Sequence, residues 1–404
     1  MQYRINQKTG ERISVLGAGC MRLHKDEREA EKHVRYLIEK GVNYFDTAYS
    51  YGDSEEKLGR ILAKDGLRER VKIATKLPHY FVRKGADFDG YFDTQRERLQ
   101  TDHIDYYMVH MLPNLASWER LVDLGLMAWV EEKRNRGQIG QFGFSFHGSC
   151  GEFKALIDAY DWDFCMIQYN YYDVNFQAGR EGLLYAAERG MPVFVMEPLR
   201  GGMLVNKLPE AAKQIWAAAP GEQSAAERGL RWVWDHPQVL SVLSGMGTME
   251  MVVENVRVAS EAAAETLTAE DLARYEAVSA AIRGGTRVAC THCGYCVPCP
   301  FGVDIPLCFS YLNETRQGRY RAMGWYAATM EGHKASLCTG CGKCEPLCPQ
   351  EISIREKLAE ATRVLEGFPY GILRVVVRWV LKHKKVQAFA VWLLNAVGRR
   401  RVAD

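Results

Sequence analysis

The sequence has no marked excess of charge of either sign. Its 404 residues include 52 Lys and Arg against 50 Asp and Glu, which gives a net charge of +2. Proteins dedicated to binding nucleic acid usually carry a clear basic excess, so this composition argues against nucleic acid as a partner. The amino-terminal stretch also lacks the apolar core of a signal peptide. We therefore expect a cytoplasmic, globular protein.

Cysteine is scarce over most of the chain. Only Cys20, Cys150 and Cys165 occur in the first 289 residues, and they follow no spacing pattern, which favours structural roles. The other nine cysteines fall between Cys290 and Cys348. Clustered thiols without a secretion signal are typical of metal ligands rather than disulfides. The chain thus divides into a part without a thiol motif and a metal-binding part.

Short apolar runs alternate with amphipathic helical stretches over the first 260 residues. Eight such units predict an α/β protein with a (β/α)8 TIM barrel, and a doubly wound open sheet is the alternative. The apolar runs are 15–16, 42–45, 71–75, 104–109, 139–144, 164–167, 193–196 and 239–243. The helical stretches are 26–40, 55–63, 92–99, 118–136, 152–159, 182–189, 225–235 and 249–259.

Polar residues end three successive predicted strands. Asp46, Lys76 and His110 each follow an apolar run directly, and Tyr51 follows Asp46 by five residues. Catalytic groups of such barrels lie at the carboxyl ends of the strands, so we expect these side chains to meet. A phenol titrates near pH ~10 and acts as an acid at neutral pH only with help from a nearby cation. Lys76 would supply that cation, and Tyr51 would protonate a carbonyl oxygen.

The segments GVNYFDTAYSYGDSEEKLG, VKIATK and IDYYMVH resemble the aldo-keto reductase family, and the similarity extends over about residues 1–280. The resemblance implies an oxidoreductase that uses NADPH or NADH. It implies a catalytic tetrad formed by Asp46, Tyr51, Lys76 and His110. It also implies nicotinamide contacts at Ser145 and Gln168, and adenine-end contacts at Glu254 and Asn255.

The sequence departs from the family pattern at the cofactor positions. Phe146 stands where members often carry Asn, and Met196 stands where many carry an aromatic residue that stacks on the nicotinamide. Gly245 and Met251 stand where members often place basic residues against the 2′-phosphate. Because a phosphate dianion prefers charged donors, the choice between NADPH and NADH stays open.

Eight of the clustered cysteines form two runs, and each run ends in Cys-Pro. The runs are Cys290-x2-Cys293-x2-Cys296-x2-Cys299 and Cys338-x2-Cys341-x2-Cys344-x3-Cys348. The second run has the spacing of a bacterial ferredoxin, in which the cysteine before proline binds the other cluster. This predicts two [4Fe–4S] clusters, one on Cys290, Cys293, Cys296 and Cys348 and the other on Cys338, Cys341, Cys344 and Cys299. Structural zinc is the alternative. Cys308 lies in an apolar helical setting, so we expect it in the core.

The two parts together resemble the aldo-keto reductases that carry a C-terminal [4Fe–4S] ferredoxin-type domain. The segment CTHCGYCVPCPFGVDIP is distinctive of that subgroup. We predict a barrel over residues 1–283, a small helical dicluster ferredoxin-like domain over 284–358, and a basic amphipathic helical tail over 359–404. A Thr268-x-x-Asp271 capping box predicts a helix at the end of the barrel.

The tail carries most of the basic excess. From residue 363 onward there are nine Lys and Arg against two acidic residues. Arg374, Arg378, Lys382 and Lys385 recur at helical spacing, which predicts one basic stripe. The uncharged stretch 386–398 is shorter than the ~20 residues needed to span a bilayer. We favour a helix packed on the protein, and the alternative is peripheral contact with the inner membrane surface.

Two functions are compatible with these features. The first is reduction of a small aldehyde or ketone, or oxidation of the alcohol, by hydride transfer in a protein linked to two clusters. The second is electron transfer or docking, with the barrel serving mainly as a binding scaffold. Nicotinamide moves two electrons as a hydride, whereas each cluster moves one, so coupling them calls for a redox partner such as a flavoprotein or a ferredoxin.

Overall fold

The computed structural model contains an antiparallel hairpin followed by a closed barrel of eight parallel strands. The hairpin joins β1 (Tyr3–Ile5) to β2 (Arg12–Ser14). The barrel strands are β3 (Leu16–Gly19), β4 (Tyr44–Asp46), β5 (Lys72–Leu77), β6 (Ile104–Leu112), β7 (Ile139–Phe146), β8 (Phe164–Gln168), β9 (Val193–Met196) and β10 (Val239–Ser244). β10 pairs with β3 and closes the barrel, so the predicted TIM barrel is confirmed and the open sheet is wrong.

The structure describes residues 1–206, 208–284, 287–288, 290, 296–330, 332–348 and 352–382. Contacts divide the chain into two compact units, Met1–Ala277 and Val278–Asp404. The sequence-derived boundaries at 283/284 and 358/359 stay predictions. No helix within the described ranges is both long enough and apolar enough to cross a bilayer.

Helices follow the barrel strands in the predicted alternation. They are α1 (Glu27–Glu39), α2 (Ser54–Leu62), α3 (Asp87–Leu99), α4 (Leu115–Asp123), α5 (Leu126–Asn135), α6 (Cys150–Ala159), α7 (Gly179–Glu188), α8 (Met203–Asn206), α9 (Glu210–Ala217), α10 (Ala225–Trp234), α11 (Met249–Ser260) and α12 (Ala269–Gly284). The single helix predicted over 118–136 is wrong. It is two helices, because Gly125 adopts a left-handed φ of 89° between α4 and α5.

The capping box at the start of α12 is confirmed. The Thr268 hydroxyl accepts a hydrogen bond from the Asp271 backbone N–H at 3.2 Å, and the Thr268 backbone N–H donates to the Asp271 carboxylate at 3.1 Å. This reciprocal pairing satisfies backbone donors that the first turn of a helix otherwise leaves without partners.

Large aromatic side chains fill the inside of the barrel. The rings of Tyr44 and Phe194 stack with centroids 4.3 Å apart, and Tyr106 meets both rings edge-on. Phe164 occupies the space that a side chain at Gly143 would need. Inward and outward positions alternate along a strand, so a residue two positions after one of these inward-pointing residues also points inward. At the level of these residues the inside of the barrel is therefore a packed core and not a pore.

The second unit is helical in its described part. It contains α13 (Ile305–Thr329), α14 (Ile354–Leu365) and α15 (Tyr370–Lys382). Gly318 departs from helical geometry inside α13 and divides it. Apolar residues from all three helices enclose one core cluster. Cys308 is fully buried in that cluster, so its predicted place in the core is confirmed.

We expect Gly59→Ala to destabilise the barrel. A Cβ at Gly59 of α2 would overlap the backbone of Arg98 and Leu99, where α3 ends. Overpacking of this kind costs about 1–3 kcal/mol of folding free energy. Gly90→Ala in α3 is the matched control, because Gly90 is exposed and has no atom near its added Cβ. It should stabilise the protein by roughly 0.5–1 kcal/mol through helix propensity. Urea unfolding of both variants tests this, and equal midpoints would contradict the close α2–α3 packing.

Candidate active site

The strand register brings three predicted residues to one end of the barrel interior. Tyr44, Ala74 and Met108 belong to the inward-facing cluster. Asp46, Lys76 and His110 each follow one of them by two positions, so they continue the same inward-facing rows. Neighbouring strands hold those rows together, since Asp46 pairs with Ala74 and Lys76 pairs with Met108. The three side chains therefore meet at the carboxyl end of the strands, as predicted.

Lys76 and Asp46 form a buried ion pair. Lys76 Nζ lies 2.6 Å from Asp46 Oδ1, and the two side chains are only 1% and 4% exposed. The ammonium also donates to the Thr47 carbonyl oxygen at 2.6 Å. Burial alone would lower the pKa of Lys76, but the charge of Asp46 and its hydrogen bond with the ammonium outweigh burial and raise it. Lys76 therefore carries its proton at neutral pH.

Tyr51 lies over this ion pair. Its ring centroid is 4.7 Å from Lys76 Nζ. The loop after β4 brings it there, because the Tyr51 backbone N–H donates to the Ala48 carbonyl oxygen and Gly52 then turns the chain into α2. Gly52 has a φ of +65°, a backbone conformation that residues other than glycine rarely adopt.

The pKa of the Tyr51 phenol is raised in this structure. Burial is the largest cause, and the nearby ammonium of Lys76 acts in the opposite direction. The sequence argument identified the effect of the lysine and missed the larger effect of burial. The phenol therefore keeps its proton at neutral pH, and a cation lies beside it that would stabilise the phenolate after the proton leaves.

His110 is the fourth member of the group. Its ring meets that of Tyr51 edge-on with centroids 5.9 Å apart, and its Nδ1 lies 3.2 Å from the Tyr80 hydroxyl. Burial, reinforced by the charge of Lys76, lowers the pKa of His110 well below its ordinary value. A neutral ring that accepts a hydrogen bond from Tyr80 at Nδ1 carries its proton on Nε2 and can donate it to a ligand oxygen.

The residues predicted to contact the nicotinamide lie at the ends of β7 and β8. Ser145 Oγ accepts a hydrogen bond from the Met111 backbone N–H at 2.8 Å. Gln168 Nε2 donates to the Asp173 carboxylate at 2.8 Å, and Gln168 Oε1 accepts from Gln177 at 3.3 Å. Both side chains are thus held in place at the same end of the barrel as the tetrad. Their contacts with a nicotinamide stay predictions.

The two residues predicted to contact the adenine end lie on α11. Asn255 is buried, and its amide donates to the Ser244 hydroxyl at 2.8 Å at the end of β10. Glu254 is half-buried on the same helix. The Asn255 amide therefore joins α11 to the last barrel strand, and its role toward a ligand stays a prediction.

Arg22 is a basic residue at this end of the barrel that the sequence argument missed. It lies in a short turn after β3, and its guanidinium donates to the Gly201 carbonyl oxygen at 3.3 Å. Its aliphatic carbons lie within 4 Å of the position that a Cβ on Gly245 would occupy. Arg22 forms no ion pair with any residue that the structure describes. The basic residue that follows GAGCM in the sequence was the available signal.

Glu197 and His147 are two further polar residues at this end that the sequence argument did not assign to the site. Glu197 follows β9 in a left-handed conformation with φ 54°, and its charge acts on both Tyr51 and His147. His147 follows β7, and its Nδ1 lies 3.1 Å from Gln177 Oε1. Burial lowers the pKa of His147. An acidic side chain thus lies near Tyr51, and a neutral polar side chain lies near His110.

One buried acceptor at the site has no protein partner in the described ranges. Asp46 Oδ2 is buried and has no hydrogen bond with any described residue. Buried polar atoms are normally paired, and the guanidinium of Arg22 has no carboxylate partner among the described residues, so these two groups fit a ligand that brings hydroxyl and anionic groups. A nicotinamide dinucleotide has both.

Seven of the eight predicted cluster ligands are described, and Cys293 lies outside the described residues. Six of the seven border the core cluster of the second unit: Cys290, Cys296, Cys299, Cys338, Cys344 and Cys348. Cys341 is exposed, and the glycines on either side of it both have φ 75°, so the chain turns tightly around it. Soft thiolates from one tight loop suit an iron–sulfur cluster. No three described His, Cys, Asp or Glu side chains converge as single-ion ligands.

Two family models match the chain. The model described as the Aldo/keto reductase family matches residues 15–280. The model described as a 4Fe-4S dicluster domain matches residues 289–353. The second match supports iron–sulfur clusters in the cysteine-rich part, as the spacing predicted.

Curated proteins and a solved structure are also similar to part of this chain. The chain is 26% identical to L-galactose dehydrogenase of Arabidopsis thaliana, over 69% of this chain and 94% of the relative. It is 26% identical to methylglyoxal reductase of Escherichia coli, over 60% of this chain and 84% of the relative. A holo aldo-keto reductase structure from Bacillus halodurans matches with a TM-score of 0.59 and 27% identity, over 69% of this chain and 96% of that one.

Proposed function

Because the chain belongs to the aldo/keto reductase family, we propose that it reduces an aldehyde or ketone, or oxidises the alcohol, with NADPH or NADH and with Tyr51 as the proton donor. The observation that carries the proposal is the buried Lys76–Asp46 pair beneath the Tyr51 ring. An ion pair away from water is weak evidence for stability, because desolvation offsets its attraction. Its position under a phenol instead fits a role in proton transfer.

A bound nicotinamide dinucleotide would supply a hydride to the carbonyl carbon. The protein would have to hold the substrate oxygen and protonate it. The neutral ring of His110 would donate a hydrogen bond to that oxygen, and the protonated phenol of Tyr51 would release its proton to it. The ammonium of Lys76 would stabilise the phenolate that forms, and Asp46 would keep the ammonium charged and in place.

We predict that Tyr51→Phe and Lys76→Met each lower the rate of carbonyl reduction by ~10²-fold or more, the usual scale for losing a positioned proton donor or its activator. Single-turnover reduction of a panel of small aldehydes and ketones measures the effect. Tyr36→Phe on α1 and Lys40→Met just after it are matched controls, because Lys40 Nζ also lies over a tyrosine ring, 5.4 Å from the Tyr36 centroid. They should leave the rate unchanged. Dinucleotide binding, followed by fluorescence, should survive in all four variants.

Loss of activity in the control variants as well would show general destabilisation instead of a loss of proton transfer. Unchanged rates in Tyr51→Phe would show that another group donates the proton. Absence of turnover in the wild type across the panel would favour the alternative, in which the barrel is a binding scaffold of an electron-transfer or docking protein.

For the cofactor, we propose that Arg22 supplies a cation at the adenine end. The family resemblance expects a basic residue at position 245, where this chain has glycine. The Arg22 side chain lies against that glycine from a different loop. Its guanidinium is free of carboxylate partners in the described ranges, so a phosphate group would not have to displace one. This arrangement favours NADPH, whose 2′-phosphate is an additional anion.

We predict that Arg22→Gln weakens NADPH binding by roughly 10- to 100-fold, the range for losing a charged hydrogen bond. The effect on NADH should be smaller. Arg136→Gln is a control of equal charge, because Arg136 is exposed just before β7, at the opposite end of the barrel. Titration of both dinucleotides by calorimetry gives the two dissociation constants. Equal losses would assign Arg22 to a group common to both dinucleotides, and unchanged constants would contradict the assignment.

For the cysteine-rich part, we propose two [4Fe–4S] clusters with the ligand sets deduced from the spacing, and a flavoprotein or ferredoxin as redox partner. The observation that supports it is that cysteines of both runs border one core cluster. Thiolates of both runs can then bind the same iron–sulfur cluster, as they do in two-cluster ferredoxins.

Anaerobically purified protein should contain about eight iron and eight sulfide per chain. Cys341→Ser should remove about half of both, because it takes one ligand from a single cluster. Cys150→Ser, a cysteine of the barrel, is the matched control and should leave the content unchanged. A wild-type content near four would mean that one run does not bind a cluster, and zinc without sulfide would refute the proposal.

A further inference from the structure

The helix α15 carries an exposed apolar face beside a basic stripe, and we propose that this helix docks onto an anionic lipid surface. The apolar face would enter the boundary between headgroups and acyl chains, while the basic stripe would contact the phosphate groups. The inference does not rest on the activity of the barrel.

One side of α15 is already used for packing. Tyr370 is buried, and Leu373 packs against the core cluster of the second unit. This contact agrees with the interpretation of a helix packed on the protein, but it accounts for that side alone. The packing holds α15 in a fixed orientation on its unit.

A second side is apolar and exposed. Ile372 is 59% exposed, Val375 67%, Val376 48% and Trp379 50%. They stand at positions i, i+3, i+4 and i+7, so they form one continuous face of the helix. Phe368, just before the helix, is 84% exposed. Contiguous large apolar residues in contact with water indicate an interaction surface.

The basic residues stand along one edge of this face. Arg374, Arg378 and Lys382 occur at intervals of four in the described helix. At 3.6 residues per turn, their positions lie between the exposed apolar side and the packed side. Residues 367–382 contain no acidic residue. A helix with this arrangement of faces suits the surface of an anionic bilayer.

Charge favours a lipid surface over the two other nearby occupants. A second copy of α15 would bring an identical basic stripe against the first. The chain beyond the described residues, 383–404, carries five Lys and Arg and a single acidic residue. The second copy and the basic groups at 384–385 and 399–401 would therefore repel the stripe, whereas anionic headgroups attract it. Each basic residue near such a surface strengthens binding about fivefold.

The test is co-sedimentation of the full-length protein, with its clusters, with vesicles of phosphatidylglycerol and phosphatidylcholine, and with vesicles of phosphatidylcholine alone. We expect binding to the anionic vesicles that weakens as salt rises. The triple variant Arg374→Gln, Arg378→Gln and Lys382→Gln should weaken binding on the order of 100-fold at low salt. Ile372→Ser with Val375→Ser should remove the part of the binding that resists salt.

Matched controls come from the barrel. Lys32→Gln, Arg136→Gln and Lys213→Gln remove the same charge from exposed sites, and Val122→Ser with Val253→Ser remove exposed apolar side chains. Both control sets should bind vesicles like the wild type. The proposal is overturned if anionic vesicles are not bound, or if the α15 variants bind like their controls. Two other results also overturn it. One is a wild-type dimer, measured by light scattering, that the apolar variant does not form. The other is a lower melting temperature of the α15 variants without a change in vesicle binding.

Discussion

The buried ion pair between Lys76 and Asp46 is the interaction on which the site depends. Two charges removed from water are tolerated only where their geometry is held closely and their hydrogen bonds are satisfied. Here the register of β4 with β5 fixes both backbones, and the Thr47 carbonyl accepts a further hydrogen bond from the ammonium. Asp46 Oδ2 is the one atom of the pair left without a partner among the described residues, and a ligand hydroxyl would supply that partner. The pair places a permanent cation beneath Tyr51, so a phenol whose pKa is raised by burial still has a stabilised conjugate base.

Much of this site was predictable from the sequence. Asp46, Lys76 and His110 each end an apolar run, and strand alternation with parallel pairing is enough to bring such residues together. Contacts between loops that are distant in the sequence were not predictable. Arg22 meets Gly245 only because the first and last barrel strands, β3 and β10, pair with each other. No pattern in the sequence indicates that these two residues are neighbours. The break at Gly125 and the exposed side of α15 likewise depend on packing, which periodicity alone does not report.

The reactions proposed for the two parts of the chain differ in the number of electrons that they transfer in one step. The reaction proposed for the barrel transfers a hydride, which carries two electrons, and a proton, whereas iron–sulfur clusters exchange single electrons. In that proposed reaction, Tyr51 and Lys76 would supply only the proton. A redox partner that accepts both hydrides and single electrons would connect the two proposed reactions. A flavoprotein can do this, whereas a second small-molecule substrate would not.

The most direct test of hydride transfer in the barrel follows deuterium from a reduced nicotinamide dinucleotide that carries deuterium in place of both hydrogens at C4. The labelled cofactor and a reactive aldehyde are incubated with the anaerobic protein, and the alcohol product is examined by mass spectrometry and NMR. Hydride transfer in the barrel predicts deuterium on the carbinol carbon, with no label lost to water. Product that forms without the label, or only when a one-electron donor is added, would contradict hydride chemistry in the barrel.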